Sequence, residues 1–292
     1  MENRIHWYPG HMAKTRRMIS DNLKMIDVVV EIIDARIPLS GRNSDFDDIL
    51  KSKPRLLVLN KADLADPDAT NAWISAYAKK NIKVMPVSCT TGAGINKVFN
   101  EAKKLVQDRI DRDAEKGRTR TLKLMMAGIP NVGKSSLINR LVGKASTKTG
   151  DKAGVTKGKQ WVRVRGDVEL LDIPGMLPHK LEDQEKAKLL VYTGAVKDEI
   201  MNTELLAYDL CAHLRDTYPE LLCARYKLDS VDGLEGYEIL EKIGRKRGFI
   251  ISGGEIDMER AANILFDEFR GAKIGKITLE KAKGEKIGRD NK

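Results

Sequence analysis

The chain has 292 residues, with 52 Lys and Arg against 42 Asp and Glu, so its formal net charge is +10. Hydrophobic residues make up 41% and charged residues 32%, which excludes a disordered chain and predicts a core beneath a charged surface. Three widely spaced cysteines form no CxxC pair, which argues against a disulfide framework and favours a reducing compartment. At roughly 150 residues per domain the length predicts two domains. The excess of positive charge fits either a polyanionic partner or an ordinary solvated surface.

Signals for membrane attachment are missing from the sequence. No apolar run approaches the ~18 residues that a membrane span needs, and the first residues, Met1 to Arg4, contain no apolar stretch of the signal-peptide kind. The chain does not begin Met-Gly and does not end in cysteine, so we expect neither myristoylation nor prenylation. These features predict a cytoplasmic protein that does not bind membranes.

Short apolar runs, each followed by turn-like polar sequence, recur along the first part of the chain. Such runs, separated by helical stretches, are typical of buried parallel strands in an α/β sheet. We predict strands over 28–33, 56–59, 84–87, 122–127 and 168–171. A helix is predicted over Ile95–Ile110, and the charged stretch Asp111–Arg120 is predicted to be a connector.

Helical periodicity replaces the strand pattern beyond about Leu177. Leucines at 206, 210 and 214 share one helical face, and similar spacing recurs around Ile239 and around Leu265. Asp257 is the predicted N-cap of the last helix and Gly271 its end. Residues 270 to 292 include eight basic and three acidic residues, which predicts a mobile basic tail. The predicted domains are residues 1–178 and a helical domain of residues 179–292.

The sequence GIPNVGKS at 128–135 matches the P-loop pattern GxxxxGK[ST], follows a predicted strand and opens a predicted helix over Ser136–Leu141. In such a turn, backbone N–H groups cradle phosphate oxygens. Lys134 is expected to reach the β and γ phosphates, which makes it a catalytic residue, and the Ser135 hydroxyl is expected to bind Mg²⁺. The predicted phosphate-binding residues are Asn131, Val132, Gly133, Lys134, Ser135 and Ser136.

The sequence NKAD at 60–63 ends another predicted strand and resembles the guanine-reading NKxD motif of the GTPase superfamily. Its Asp63 carboxylate would accept hydrogen bonds from guanine N1–H and the 2-amino group, which adenine lacks. Ser88 and Cys89 follow the next strand, where that superfamily places its SAK loop. The Cys89 N–H would then face guanine O6, while its thiol is expected to be a small buried side chain. The predicted guanine-side residues are Asn60, Lys61, Asp63, Ser88 and Cys89.

The sequence DIPG at 172–175 follows the last predicted strand and matches DxxG. Asp172 is expected to hold Mg²⁺ through water, and the Gly175 N–H to sense the γ-phosphate. Between the P-loop and DxxG, Thr156 is the candidate switch I threonine for Mg²⁺, with Thr147 and Thr149 as competitors.

The order of these motifs is informative. Ordinary small GTPases run P-loop, switch threonine, DxxG, NKxD and SAK, whereas here NKxD and the Ser88 loop precede the P-loop. All five follow predicted strands, so they can still line one edge of the sheet. The predicted fold is a circularly permuted P-loop GTPase domain, a mostly parallel α/β sheet with flanking helices, followed by an all-α domain. The DxxG segment from Asp172, which is switch II in such GTPases, then leads directly into the helical domain, so a γ-phosphate-dependent movement can reach that domain.

Water-activating GTPases usually carry Gln directly after DxxG, and this chain has Met176, which cannot orient a water. Slow intrinsic hydrolysis is therefore expected, with the missing group supplied from elsewhere. His11 is one source, because an imidazole can position or deprotonate water. The alternative for His11 is a packing or hydrogen-bonding residue in a turn set by Pro9 and Gly10. For the stretch 34–38 the simplest interpretation is a strand-end salt bridge.

The blocks IHWYPGHMAK at 5–14 and DARIP at 34–38, with NKAD, GIPNVGKS and DIPG, resemble the circularly permuted GTPases of the YlqF/RbgA family, ribosome biogenesis GTPase A. The resemblance implies binding of GTP/GDP with Mg²⁺ and GTP hydrolysis coupled to late assembly of the large (50S) ribosomal subunit. It also implies a helical C-terminal domain that contacts ribosomal RNA, a catalytic role for His11, and K⁺ activation with Asn131 as its ligand. Because the first block begins at residue 5, we expect no transit peptide.

Other classes of function conflict with particular features. A signalling or trafficking GTPase acting on a protein or membrane partner has no lipidation motif to support it. A P-loop ATPase or kinase conflicts with Asn60 and Asp63. The leading hypothesis is a monomeric assembly GTPase whose nucleotide state gates attachment to the large subunit and its rRNA, with salt-sensitive binding.

Overall fold

The computed structural model of the chain describes residues 9–143, 159–164, 167–178, 183–196 and 202–282, with side chains from residue 13 onward in the first helix. Within these ranges six strands form one sheet in the order β3-β2-β1-β4-β6-β5. All neighbours are parallel except β5, which runs antiparallel to β6. The strands are β1 (Val28–Asp34), β2 (Arg55–Asn60), β3 (Lys83–Pro86), β4 (Leu122–Gly128), β5 (Gln160–Val164) and β6 (Val168–Asp172). The predicted mostly parallel α/β sheet is confirmed.

The helices of the described ranges fall into two groups: α1 to α6 accompany the sheet, and α7 to α11 come after it in the chain and contact one another. Helices of the first group are α1 (Pro9–Leu23), α2 (Asp45–Ile49), α3 (Pro67–Ala78), a 3₁₀ helix (Ile95–Lys97), α4 (Val98–Lys104), α5 (Gln107–Glu115) and α6 (Lys134–Val142). Those of the second group are α7 (Gln184–Tyr192), α8 (Thr203–Thr217), α9 (Pro219–Tyr226), α10 (Gly236–Lys246) and α11 (Met258–Arg270). Among these helices, none combines the length and the apolar character that crossing a bilayer requires.

The central strand β1 is buried along its whole length because helices cover both faces of the sheet. Val28, Val30 and Ile32 belong to an apolar cluster with residues of α4 and α6, and this cluster continues into α7 to α11. Val29 packs with residues of α1 and α2, and Ile33 packs with residues of α3. The carboxyl ends of the parallel strands are thereby held at one edge of a well-packed layer.

The helical region agrees closely with its sequence pattern. The Asp257 side chain caps α11 by accepting a hydrogen bond from the Arg260 N–H at 2.9 Å. The same helix ends at Arg270, directly before Gly271. The leucines at 206, 210 and 214 are all buried. The predicted cap and end of the last helix are confirmed.

The single helix predicted over Ile95–Ile110 is wrong, because the chain forms the 3₁₀ helix, α4 and α5 in succession. The break lies at Leu105 and Val106, whose N–H groups donate to carbonyls three residues back, as in a tight turn. Both side chains still pack against the main core. Their apolar character therefore continues the helical pattern in the sequence although the helix itself ends. Helix α5 has no buried residue and extends into the segment predicted to be a connector.

Strand β5 is absent from the sequence prediction, because its sequence QWVRV lies at the edge of the sheet and is mostly solvent-exposed. Val164 is the buried member of the strand, so the pattern contains no continuous apolar run. The strand is held by antiparallel pairing with β6, a contact that the local pattern does not reveal.

The described part of the predicted mobile tail is folded, so that prediction is wrong for residues 271–282, which we call the C-terminal strap. The Ile277 N–H donates to the Leu64 carbonyl at 3.2 Å, and the Leu279 N–H donates to the Arg36 carbonyl at 2.8 Å. Apolar side chains dispersed among the lysines are buried, and their burial outweighs the charge excess. Residues 283–292 lie outside the described ranges.

Candidate nucleotide-binding site

The predicted site motifs meet at the edge where the parallel strands end. Asp34 ends β1, Asn60 ends β2, Gly128 ends β4 and Asp172 ends β6, while Ser88 lies two residues beyond β3. In open α/β sheets, ligands bind in the crevice outside the carboxyl ends of the strands. The arrangement therefore brings the phosphate, guanine and DxxG motifs to one place despite their permuted order in the chain.

The P-loop turn joins β4 to α6 and is shaped by left-handed backbone positions. Asn131 has φ of 59° and Gly133 has φ of 87°, a region that glycine adopts without strain. A Cβ atom at Gly133 would also collide with the side-chain nitrogen of Asn60. Helix α6 begins at Lys134, two residues earlier than predicted. The N–H groups of its first turn, which have no partner within the helix, therefore face the turn, as phosphate binding requires.

Lys134 and Asp172 form a buried ion pair across the predicted phosphate site. The two residues come from α6 and from the end of β6, so the fold brings together the predicted phosphate-binding cation and the predicted Mg²⁺ carboxylate. Ser135 is half-buried in the first turn of α6. Hydroxyl and carboxylate oxygens are the ligand types that Mg²⁺ prefers, so the donor set fits that ion.

Asn60 connects three motifs that come from different strands. Its Nδ2 donates to the Val132 carbonyl in the P-loop at 2.8 Å. Its Oδ1 accepts from the Cys89 N–H at 3.3 Å. Lys61 adds a second link, because its Nζ donates to the Asn131 carbonyl at 3.0 Å. The guanine-side and phosphate-side loops therefore form one hydrogen-bonded unit.

Asp63 has the environment expected of a base-reading carboxylate. Its Oδ1 is buried and has no hydrogen-bond partner within the part of the chain that the structure describes. A buried carboxylate oxygen without a donor is unfavourable, and a ligand that brings N–H groups removes that cost. The N1–H and 2-amino groups of guanine are such donors, so the site fits guanine.

The loop at Ser88 is held by a hydrogen bond within the loop and by hydrogen bonds from α6. The Ser88 hydroxyl accepts from the Thr91 N–H at 3.0 Å. Arg140 of α6 donates to the carbonyls of Cys89 at 2.8 Å and Thr90 at 2.9 Å. Burial raises the pKa of the Cys89 thiol to about 11. Arg140 is a supporting residue that sequence reasoning misses, since nothing in the local pattern of α6 indicates its partners.

The DxxG segment packs directly on the P-loop. A Cβ atom at Gly175 would lie 2.9 Å from the backbone nitrogen of Pro130, so only glycine fits there. The Met176 N–H donates to the Gly128 carbonyl at 3.1 Å, and its carbonyl accepts from Asn43 at 2.8 Å. Met176 is buried and apolar at the position that usually carries Gln.

Two predicted site residues lie wholly or partly outside the described part of the chain. Thr156 lies outside the described residues, so its Mg²⁺ role stays a prediction. His11 lies within α1, but its side chain is outside the described part of the chain. Its action on water likewise stays a prediction.

The stretch 34–38 contributes more than the strand-end salt bridge expected from the sequence. Arg36 makes a bidentate pair with Asp34, at 2.9 Å from Nε and 2.8 Å from Nη2. Lys61 approaches the same carboxylate at 2.9 Å. Burial raises the pKa of Asp34, but the charges of Arg36 and Lys61 outweigh it and hold that pKa well below its usual range. The signal in the sequence is an acidic and a basic residue directly after a buried strand.

A P-loop, an NKxD loop and a DxxG segment at one sheet edge, with the strand that carries NKxD before the P-loop in the chain, define a circularly permuted P-loop GTPase. Two family profiles match it: "50S ribosome-binding GTPase" over residues 123–245 and "RsgA GTPase" over residues 50–181.

Relatives extend the similarity to nearly the whole chain. Ribosome biogenesis GTPase A of Bacillus cereus is 43% identical over 94% of this chain and 93% of its own length. Ribosome biogenesis GTPase A of Bacillus licheniformis is also 43% identical, over 95% and 98% of the two chains. The GDP-bound structure of Thermotoga maritima YlqF has a TM-score of 0.66 and 26% identity, covering 91% of this chain and 99% of that one. The chain belongs to the ribosome biogenesis GTPase A family, and it hydrolyses GTP.

Proposed function

We propose that this GTPase acts in late maturation of the large (50S) ribosomal subunit and that the ribosomal particle stimulates its GTP hydrolysis. The relatives named for ribosome biogenesis support the process, and the profile named for 50S binding supports the subunit. The observation that carries the stimulation is Met176, which is 2% exposed where water-activating GTPases carry Gln. Because an apolar side chain cannot orient water, full activity needs an ordering event or a group from the partner.

We assign the guanine base and the phosphates to two sets of residues that the fold connects through Asn60. Lys134 stabilises charge on the β and γ phosphates, and the Gly175 N–H responds to the γ-phosphate. The guanine side comprises Asn60, Lys61, Asp63, Ser88 and Cys89, and the phosphate side comprises Asn131, Val132, Gly133, Lys134, Ser135 and Ser136.

We assign Mg²⁺ to Ser135, Thr156 and Asp172, the last through a water molecule. When bound, the ion neutralises charge on the β and γ phosphate oxygens. Asn131 is the residue we assign to K⁺. Its amide nitrogen donates to the Gly194 carbonyl at 2.9 Å, so its oxygen is the atom that would face the cation.

We propose that His11, which lies in the first turn of α1, positions or deprotonates the attacking water. The helical domain of residues 179–292 is the part that we expect to contact rRNA, in a cytoplasmic monomer. Its basic residues would make binding weaken as salt concentration rises.

GTP turnover with and without purified 50S subunits tests the proposal, in K⁺ and in Na⁺ buffer. We expect the subunits to stimulate wild-type turnover more than about tenfold in K⁺ buffer. His11→Ala should lose this stimulation while binding GTP normally. Equal stimulation of His11→Ala and wild type would remove His11 from the chemistry, and no stimulation of wild type would contradict the ribosomal role.

A further inference from the structure

The buried guanidinium of Arg36 lies between the NKAD segment at 60–63, here called the guanine loop, and the helices that come after DxxG. Arg36 is 1% exposed, and its side chain is fixed at one end by its bidentate pair with Asp34. Its other contacts are with carbonyls far along the chain. Nη2 donates to the Thr193 carbonyl at 3.4 Å, and Nη1 donates to the Arg270 carbonyl at 3.3 Å. The guanidinium group is planar and has five N–H donors, so it can make all these hydrogen bonds at once.

The two carbonyls belong to the ends of two helices. Thr193 is the C-cap of α7, and Arg270 is the last residue of α11. Helix C-termini present carbonyls without intrahelical partners and carry partial negative charge, so a cation between them is favourable. The Phe269 ring packs 5.4 Å from the guanidinium carbon and completes the enclosure. Arg36 therefore holds the ends of α7 and α11 against β1.

The opposite side of the same cluster reaches the nucleotide loops. Asp34 pairs with Lys61, the second residue of NKAD, and Lys61 in turn donates to the Asn131 carbonyl in the P-loop. Asn131 makes a separate bond to the Gly194 carbonyl, directly after Thr193. Both the guanine loop and the phosphate loop are thus linked to the turn that ends α7.

We propose that Arg36 is a positioning residue that couples guanine-nucleotide binding to the packing of the ends of α7 and α11 against β1. A nucleotide that orders Asp63 and the P-loop also fixes Lys61 between them. Lys61 and Asp34 then hold the guanidinium in the position that binds the two helix ends. Coupling of this kind is reciprocal, so packing of the helix ends against β1 raises the affinity for the nucleotide by the same factor. The coupling uses the guanine site but not the ribosomal role, so its test needs no ribosomal particle.

Hydrogen exchange of the wild-type protein with and without GDP tests the coupling directly. We expect saturating GDP to slow exchange of amides in 184–196 and 258–270 by about fivefold or more, the lower end of usual coupling factors. The same amides exchanging at equal rates with and without GDP would overturn the proposal. This experiment needs no variant, so it holds even if substitutions at Arg36 prevent folding.

Arg36→Lys separates positioning from simple support of the fold. Lysine keeps the charge but lacks the fork, so we expect GDP affinity to fall about tenfold and the GDP-dependent protection of α7 and α11 to disappear. The matched control is Arg225→Lys. Arg225 also makes a bidentate pair, but with Glu268 of α11, at 2.8 and 2.6 Å. The control should keep both GDP affinity and protection.

A purely structural Arg36 would give a different result. Arg36→Lys would then lower the melting temperature but leave the ratio of exchange rates with and without GDP unchanged, and GDP affinity would stay within about twofold of wild type. That outcome would overturn the proposal.

Discussion

The substitution Asp63→Asn changes the hydrogen-bonding character of the guanine loop at an atom that the described part of the protein leaves unpaired. Oδ1 of Asp63 is buried and has no hydrogen-bond partner among the described residues, so the substitution breaks no bond at that atom. An asparagine has nearly the same shape but offers one acceptor and one donor group. We therefore expect the variant to fold normally and to change its nucleotide preference.

The magnitude comes from two hydrogen bonds to one charged group. Guanine N1–H and the 2-amino group would both lose a carboxylate acceptor, at about 1.5–3 kcal/mol each. The sum of ~3–6 kcal/mol corresponds to GTP binding weakened by about 10²–10⁴-fold. Xanthine has a carbonyl oxygen in place of the 2-amino group, so the new amide can donate to it. XTP should accordingly bind the variant more tightly than GTP does.

Competition of GTP and XTP against a fluorescent guanine nucleotide measures this change, and thermal denaturation reports whether the variant is folded. Asp68→Asn is the matched control, because it makes the same chemical change at an exposed position in the first turn of α3. The control should bind GTP as wild type does. A folded Asp63→Asn variant whose GTP affinity stays within about threefold of wild type would refute the base-reading role.

Three further substitutions test the packing of the site, the strap and the Asp34 pair. Gly175→Ala should destabilise the fold by about 1–3 kcal/mol and slow GTP turnover, because its Cβ would meet the Pro130 backbone at 2.9 Å; thermal melts and turnover assays measure both effects. Glu280→Ala removes the carboxylate that accepts from the Ser40 N–H at 3.0 Å and from the Ser40 hydroxyl at 2.5 Å. The free energy of unfolding, measured in urea, should fall by about 1–2 kcal/mol, and an unchanged value would show that this contact of the strap is not stabilising. Burial raises the pKa of Asp34 but neighbouring cations hold it well below 3.8, so its stabilisation is present above pH 3.8 and is lost as pH falls below that value. In urea titrations the stability difference between wild type and Asp34→Asn should therefore stay constant from about pH 6 to about pH 5 and shrink as the pH falls toward about 3, and a constant difference over the whole range would contradict this assignment.

The sheet and its motifs can be predicted because their signals are local. A continuous apolar run such as Leu56 to Leu59 marks a buried strand, and the polar residues directly after it must lie at the strand's end. Parallel strands place those ends together whatever their order in the chain, so the permuted motifs still predict one site. The P-loop pattern also specifies its own strand, turn and helix.

The features that sequence reasoning misses depend on contacts between distant segments. Arg36 reaches the Arg270 carbonyl, 234 positions away, and Arg140 reaches the Cys89 carbonyl, 51 positions away. The pair of Arg36 with Asp34 is expected from the sequence, but its contact with the distant carbonyl is not, and the local pattern of Arg140 does not differ from that of a solvated arginine. The charge of the strap predicts a mobile tail, whereas the burial of Ile277 and Leu279 depends on a surface formed by other parts of the chain.

The permuted order changes which elements come after the DxxG segment. In the unpermuted order the chain after DxxG goes on to the strands that read the base, whereas here β6 leads to α7 and the remaining helices. The helices nevertheless return to the guanine side. The turn after α7 contacts Asn131 and Arg36, and the strap contacts the carbonyls of Leu64 and Arg36. Permutation therefore gives the helical region a covalent link to DxxG and hydrogen-bonded links to the loops at the ends of β1 and β4.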